Sequence, residues 1–366
     1  MKVLFICPKL TDGGAERVCA NIANGLRQRG HEISILTNLN VPITYDVDRG
    51  IVLYPKKVAY RRFPSIKEFF NVFHVIKVIR PDVIVSILYD SATFAKIASV
   101  LICRCPVVAS DHNVMERPTY AKFHYRQYLD KFIVNKYLDY LTVLTKADFK
   151  CIKGRIKNVC VMHNPLELEP VREIPPKEKI VLAVGRLDYW QVKGFDILIK
   201  AWSEIVKNHS EWELHIVGSG SEQAMCYLKK ISSDMNNIQF VPYKKEIIEE
   251  YRKAEIFVLS SRYEGWGLVL LEAMSQGCAC VACDYKGRQT EIVKNEYNGL
   301  ICKVDDPQEL AIKVESLICD KEKRAYYQKN AIVSLDKYSI VRISEQWENL
   351  LIHIIKEKRK QRFFSL

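Results

Sequence analysis

Residues 1–37, "MKVLFICPKLTDGGAERVCANIANGLRQRGHEISILT", decide the fold. Lys2 to Cys7 is a short apolar run, enough for one buried strand. Ala15 to Arg29 repeats its apolar residues with a helical period, and Gly30 stops it. His31 to Thr37 turns apolar again and reads as a second strand. A strand, a helix and a strand so closely spaced make a βαβ unit, whose two strands lie parallel. The alternation continues through "PDVIVSIL", "CPVVASD" and "YLTVLT", short runs of the kind that a parallel sheet buries on both faces.

Between Asn164 and Pro176 the alternation stops. The segment "NPLELEPVREIPP" holds four prolines and no periodicity, so it reads as a linker. A second series follows, with strands at "KIVLAVG", "WELHIVG", "IQFVPY", "EIFVLSS" and "CACVACD" and helical stretches beginning near Lys193, Ser221, Lys245 and Leu268. After about Pro307 the chain is helical to its end. The expected fold is therefore α/β: two Rossmann-like doubly wound domains, 1–168 and 169–339, facing each other across a cleft. A C-terminal helix near 340–360 is expected to pack back on the first. Ligands of such sheets bind beyond the carboxyl ends of the strands.

Composition narrows the class. At 366 residues with 48% hydrophobic and 27% charged residues, the chain can bury a core in each half. Val3 to Cys7 is far shorter than the apolar region of a signal peptide, and no run approaches the ~18 apolar residues of a membrane-spanning helix. A soluble, cytoplasmic protein is expected. The 12 cysteines fall inside predicted strands and helices, so they read as buried thiols. "CACVAC", with Cys278, Cys280 and Cys283, lacks the second ligand pair of a zinc site. The net charge of +12 is lopsided: residues 1–168 hold 25 Lys and Arg against 14 Asp and Glu. That excess points to an acidic partner for the first half, or to a basic surface kept for solubility.

Three loops carry candidate chemistry. Gly13 and Gly14 precede the first helix, where bare N–H groups and the positive helix end make an anion site. This is not the GxGxxG fingerprint, and "ISILTNLN" supplies no acidic residue for a ribose, which argues against a nicotinamide oxidoreductase. In "VGRLDYWQVKGFDILIKAW", Arg186 stands at a strand end and Lys193 at the start of the next helix, where a cation suits only an opposing anion. Alone, each reads more readily as a surface charge. In "SRYEGWGLVLLEAMSQG" (261–277), Gly265 and Gly267 bare the backbone before a helix from about Leu268 to Gln276 that stops at Gly277. Glu272 is a carboxylate in an otherwise apolar helix, and it requires a donor such as a sugar hydroxyl or a partner within the core. Glu264 either serves a ligand or complements the helix dipole.

"GGAERV", "GRLDYWQVKGFDILIKAW" and above all "RYEGWGLVLLEAMSQG" resemble the glycosyltransferase family 4 (group 1) proteins, retaining enzymes of the GT-B fold. The likeness runs over nearly the whole chain, and two glutamates separated by seven residues are its most specific mark. The resemblance implies a nucleotide-sugar donor, with His112, Glu264, Arg186 and Lys193 as the catalytic residues. It places Gly13 and Gly14 near the donor diphosphate and Arg186 and Lys193 against its charge. It places Glu272 on the ribose hydroxyls, Glu264 near the sugar, and the backbone of Gly265, Trp266, Gly267, Leu268 and Val269 around sugar and phosphate. Pro242 and Tyr243 would line the base. His112, in "VVASDHNVMER", would face the sugar.

The resemblance further implies hexose transfer, a UDP-sugar by preference, no metal and no cofactor. It implies a lipid-linked or saccharide acceptor in cell-surface polysaccharide synthesis, and no nucleic acid. The competing motif "DVD" at Asp46 to Asp48 falls in a loop. Two departures flank the donor pocket: the spacer from "GRL" to "KG" is about two residues long, bringing in Tyr189 and Trp190, and "YKGRQTEIV" weakens any role for Glu291. Peripheral contact with the anionic inner face of the cell membrane is suggested by two stretches. "RPTYAKFHYRQYLDKFIVNKYLDYL" interleaves Arg117, Lys122, Arg126, Lys131 and Lys136 with aromatics, and "KEKRKQRFFSL" ends in basic residues with Phe363 and Phe364. The alternative function is a non-catalytic binder of anionic polymers or membrane, which leaves Glu264 and Glu272 unexplained.

Overall fold

The computed structural model describes residues 1–11, 13–57, 66–121, 125–243 and 247–363, and only the backbone of Arg126, Arg362 and Phe363. Lys122, Lys245 and Phe364, named above, lie outside the described residues. Two compact units are present: Met1–Pro165 with Tyr338–Leu366, and Leu166–Lys337.

The first unit is built on strands β1 (Lys2–Ile6), β2 (Glu32–Thr37), β3 (Val52–Pro55), β4 (Val83–Ile87), β5 (Val107–Ser110), β6 (Tyr140–Val143) and β7 (Val159–Val161). They lie in the order β3-β2-β1-β4-β5-β6-β7, every pair parallel. The second unit holds β8 (Glu178–Val184), β9 (Glu213–Val217), β10 (Ile238–Val241), β11 (Ala254–Leu259), β12 (Ala279–Asp284) and β13 (Leu300–Lys303). Their order is β10-β9-β8-β11-β12-β13, again all parallel. Central strands such as β4 and β12 are buried almost throughout, which is why their sequences are continuous apolar runs. Strand order reverses between β1 and β4 and between β8 and β11, so each unit has one crevice beyond the carboxyl ends of that pair. Strands β3, β7 and β13 have no counterpart in the sequence reading. Each is three or four residues at a sheet edge, too short to display a period.

Helix Ile340–Phe363 belongs to the first unit and lies on helix Gly14–Gln28. Its buried Ile343, Trp347, Leu351 and Ile354 recur at helical spacing. Gly25 allows the approach, because a Cβ there would collide with the Ser344 hydroxyl. At the far end of the contact, Glu348 accepts from Arg29 Nε at 2.8 Å and meets His31 Nε2 at 2.6 Å. The Arg29 guanidinium, with His31, holds the Glu348 carboxyl below its usual range.

Candidate active site

In the second unit the loops after β8 and β11 meet. Beyond β8 the chain makes a 3-10 turn at Leu187–Tyr189 and a short helix Trp190–Lys193, then starts helix Phe195–Ile205 from Gly194. Lys193 therefore ends a short helix and does not begin the next one, as the sequence suggested. The reason is Gly194, whose φ of +65° breaks the helical path. A Cβ at Gly194 would strike the carbonyl of Ser260, and the Ser260 hydroxyl donates to the Lys193 carbonyl at 2.8 Å. This close approach is what brings Lys193 Nζ to within 2.6 Å of Glu264 Oε2. Both side chains are about one-fifth exposed, so the pair is reachable from solvent and only partly screened by it.

Arg262, which the sequence reading passed over, holds the two loops together. Its guanidinium makes a fork to Asp196 with both distances 2.8 Å, reaches Asp305 at 2.6 Å and donates to the Gln191 carbonyl. Its N–H donates to the Val192 carbonyl at 2.8 Å. The Asp196 carboxylate, with Asp305, raises the Arg262 pKa still further. Three of these anchors lie within three residues of Lys193, so Arg262 fixes the Lys193 turn as much as Gly194 does.

Arg186 is exposed and lies over the ring of Tyr189, its Cζ 4.5 Å from the centroid. Trp190 stacks on Tyr227 with centroids 4.2 Å apart. The two aromatics of the lengthened spacer thus have structural partners: one supports Arg186, the other pins the short helix. The β9 loop contributes as well. Gly218 packs where any Cβ would collide with the Gly185 carbonyl, and Leu187 N–H donates to the Ser219 carbonyl at 2.9 Å. "VGSGS" after a strand was a legible signal for that close packing.

Helix Leu268–Ser275 starts from Gly267, whose φ is +89°, and gives way to Gly277, whose φ is +78°. Both ends agree with the sequence reading to within a residue. Trp266 is buried behind the turn, and Gly265 is half-buried beside it. The first N–H groups of the helix, at Leu268 and Val269, have no partner within it by helix geometry. Glu272 is 4% exposed, and its Oε2 accepts from the Tyr251 hydroxyl at 2.8 Å. Tyr251 comes from helix Ile248–Lys253 and is itself fully buried. A core partner for the carboxylate therefore exists, and nothing in the sequence around Glu272 pointed to it. Pro242 and Tyr243 are exposed just beyond β10, two strands from β8. Glu291 closes a 3-10 turn after a loop that Asp284 organises, accepting from Gly287, Gln289 and Thr290 N–H groups.

The first unit presents a different picture. Gly13 is the N-cap of helix Gly14–Gln28, but its peptide is engaged on both sides. Its N–H donates to the Tyr45 hydroxyl at 2.8 Å, and that hydroxyl donates to the Gly13 carbonyl at 2.9 Å. The Glu16 carboxylate packs against the Gly13 Cα and occupies the first turn. Gly13 is therefore not the bare donor the sequence suggested, while Gly14 is exposed at the helix start. Asp48 of the "DVD" loop accepts from Gly50 N–H and donates its own N–H to Asn24, which ties that loop to the same helix. Among the described residues, no group of three or more His, Cys, Asp and Glu is placed to hold a metal ion.

His112 follows β5. Its Nε2 lies 3.1 Å from the Ser110 hydroxyl, which accepts in turn from Thr142 at 3.0 Å. The other ring nitrogen, Nδ1, is enclosed without a hydrogen-bond partner of good geometry. Burial pushes the His112 pKa down to about 4, against Asp111 and Asn164, which favour the charged ring. The imidazole is neutral near pH 7. The turn carrying it is locked by Asp111, which accepts from Asn113 N–H, the Tyr89 hydroxyl and the buried Lys131 ammonium. Lys131 is thus an internal charge partner and not the surface cation of a basic stretch. Leu88, Tyr89 and Ser91 all have positive φ, so the turn after β4 is strained beside this cluster.

The chain is similar to known glycosyltransferases over nearly its whole length. The model described as "Glycosyl transferases group 1" matches residues 166–333, and that described as "Glycosyltransferase Family 4" matches residues 12–169. An uncharacterized glycosyltransferase of Haemophilus influenzae is 27% identical, with 93% of this chain and 96% of the relative covered. A Campylobacter jejuni alpha-1,4-N-acetyl-D-galactosaminyltransferase, named for an undecaprenol diphosphate-linked acceptor, is also 27% identical, covering 97% and 99%. The amylovoran biosynthesis glycosyltransferase AmsD of Erwinia amylovora is 27% identical, covering 96% and 99%. Among solved structures, S. aureus TarM in complex with fondaparinux, alpha-GlcNAc-glycerol and UDP superposes with a TM-score of 0.78 at 14% identity, covering 96% and 99%. Anabaena HepE in complex with UDP and glucose gives 0.76 at 21%, covering 96% and 100%.

Proposed function

We propose that this chain, which belongs to the group 1 (family 4) glycosyltransferases and has their GT-B fold, transfers a hexose-type sugar with retention from a UDP-sugar. The acceptor we propose is a lipid-linked or saccharide chain in cell-surface polysaccharide synthesis. The observation that carries the reading is the Lys193–Glu264 pair at a strand-order reversal, with Glu264 three residues before Gly267, the N-cap of helix Leu268–Ser275. A diphosphate entering there meets the Lys193 ammonium, the Arg186 fork and the first helical N–H groups. Each of these stabilises the charge that develops as the leaving group departs. Lys193 exchanges Glu264 for the diphosphate, and the carboxylate so released is free to accept from a sugar hydroxyl. Glu272, which accepts from Tyr251, is assigned to the ribose hydroxyls, as the family resemblance implies.

The transfer breaks the bond between the anomeric carbon and the diphosphate oxygen and forms one between that carbon and the acceptor oxygen. The acceptor's proton passes to the departing phosphate on the same face, so no side-chain nucleophile or metal is needed. From the first unit, we assign His112 to the donor sugar and Gly14 to the diphosphate, as the family resemblance implies. A neutral His112 brings one ring N–H and no charge to that contact. The UDP donor and the acceptor class are supported by the C. jejuni and E. amylovora relatives and by the UDP complexes of the structural neighbours.

A panel of nucleotide sugars offered to the purified protein tests the reading, with nucleotide diphosphate release as the readout and Lys193→Ala as the control. Release from one donor that the substitution abolishes establishes transfer and names the sugar. Failure of every nucleotide and nucleotide sugar to bind would put the anionic-polymer reading in its place.

A further inference from the structure

The two stretches that the sequence offers for membrane contact are weakened by their own ion pairs. Lys131 is buried on Asp111, Lys358 is bound to Asp139 at 2.6 Å, and Arg359 and Lys360 lie near Asp82 and Glu357. A different surface has the required chemistry. Helices Ile66–Ile79 and Ala92–Ile102 pack side by side, with Phe69 and Phe94 in an edge-to-face contact at 5.5 Å. Both turn their inner residues, Val72, Val75 and Ile76 with Ala95 and Ala98, into one shared core. Their opposite faces therefore point outward together.

On those outer faces Ile66, Phe70 and Val78 are exposed on the first helix, and Ile97, Val100 and Leu101 on the second. They recur at spacings of four and eight on the first helix and of three and four on the second, so each set forms one stripe. Lys67, Lys77 and Arg80 flank the apolar residues; all three are exposed, and none has an ion pair among the described residues. No carboxylate is exposed on either helix. Glu68, the one acidic residue of the pair, is turned toward Lys56 and the Ser91 hydroxyl. An apolar face rimmed by cations and free of anions repels a second copy of itself and suits a surface that is apolar beneath and anionic above.

We propose that this face of helices Ile66–Ile79 and Ala92–Ile102 docks on an anionic lipid bilayer, with Phe70 and Leu101 as its deepest insertions. The inference deepens the proposed transfer to a lipid-linked acceptor, because it holds the enzyme where that acceptor resides. No described helix is long and apolar enough to cross a membrane, so the attachment is peripheral and weakened by salt.

The test is cosedimentation of the full-length protein with vesicles of phosphatidylglycerol and phosphatidylcholine, compared with phosphatidylcholine alone, without donor or acceptor. Phe70→Asp combined with Leu101→Asp is the key variant. These side chains are 61% and 67% exposed, so the fold tolerates the change. Lys356→Gln combined with Lys360→Gln removes two of the tail's five basic charges as a control. Binding to anionic vesicles that falls at least tenfold in the first variant and less than threefold in the second, with Tm unchanged, supports the proposal. Equal binding by wild type and the Phe70/Leu101 variant overturns it, as does no binding of wild type to anionic vesicles. A concentration-dependent dimer that the Phe70/Leu101 substitutions abolish also overturns it and assigns the face to self-association. Because no substrate is present, these outcomes are independent of whether nucleotide sugars are turned over.

Discussion

Each unit of this protein presents a glycine followed by a helix beyond a central strand, and the two helix starts differ in how much is left to offer a ligand. At Gly13 the peptide is engaged by Tyr45, and the first turn carries its own carboxylate, Glu16. At Gly267 the first turn has no acidic residue, and Glu264, three residues before it, is paired with Lys193 from another loop. The same local sequence signal therefore yields one helix start that carries its own carboxylate and keeps only Gly14 exposed, and one whose first turn holds no acidic residue to compete with an anion. A glycine before a helix marks where an anion could approach; the surrounding side chains decide whether anything remains for it.

The largest effect is expected at the open helix start. Lys193→Ala should lower turnover by ~10² to 10³, as loss of one preorganised charge does, while the circular dichroism spectrum stays that of wild type. A loss below about threefold would remove Lys193 from the reacting centre. Gly194→Ala should follow, destabilising the second unit by roughly 2 kcal/mol or more, since the left-handed backbone and the Ser260 carbonyl both oppose a Cβ. Gly13→Ala should cost far less, under about 1 kcal/mol, because its φ of −139° suits any residue and the Glu16 side chain can swing aside. Urea melts of the two variants give the contrast directly, and equal losses would mean the two glycines do the same work.

The neutral His112 gives a pH test of the first unit. Its folded-state pKa of about 4 lies below the unfolded value near 6.5, so protons favour the unfolded chain between those values. Stability should fall as pH drops from about 6.5 toward 4 and be unaffected by this group above 7. His112→Gln should flatten that part of the curve, and an unchanged slope would place the acid sensitivity elsewhere. Tyr251→Phe leaves the buried Glu272 one donor short and should cost ~1 to 2 kcal/mol, between the losses expected for Gly13→Ala and Gly194→Ala. If Glu272 also binds ribose, nucleotide should restore more Tm to this variant than to wild type.

Much of the fold was legible because parallel strands buried on both faces must be apolar at every position, as β4 and β12 are. The helix from Leu268 to Gly277 was legible because glycines bracket it. Arg262 was not, since nothing around it in sequence distinguishes a clamp from a surface arginine, and its partners Asp196 and Asp305 lie 66 and 43 positions away. Lys131 was misread for the same reason. A cation among aromatics in an amphipathic stretch looks like surface until its carboxylate, 20 residues earlier, is seen beneath it.

The sequence by itself therefore determined two doubly wound units, the strand ends where ligands must approach, and the residue types available at those ends. All of these follow from local periodicity and from the backbone freedom of glycine. Tertiary structure alone decided which of those charges are already satisfied. Lys193 meets Glu264 across 71 residues, and Tyr251 meets Glu272 across 21. Electrostatic pairing depends on distances of a few ångströms between side chains whose separation along the chain carries no such information.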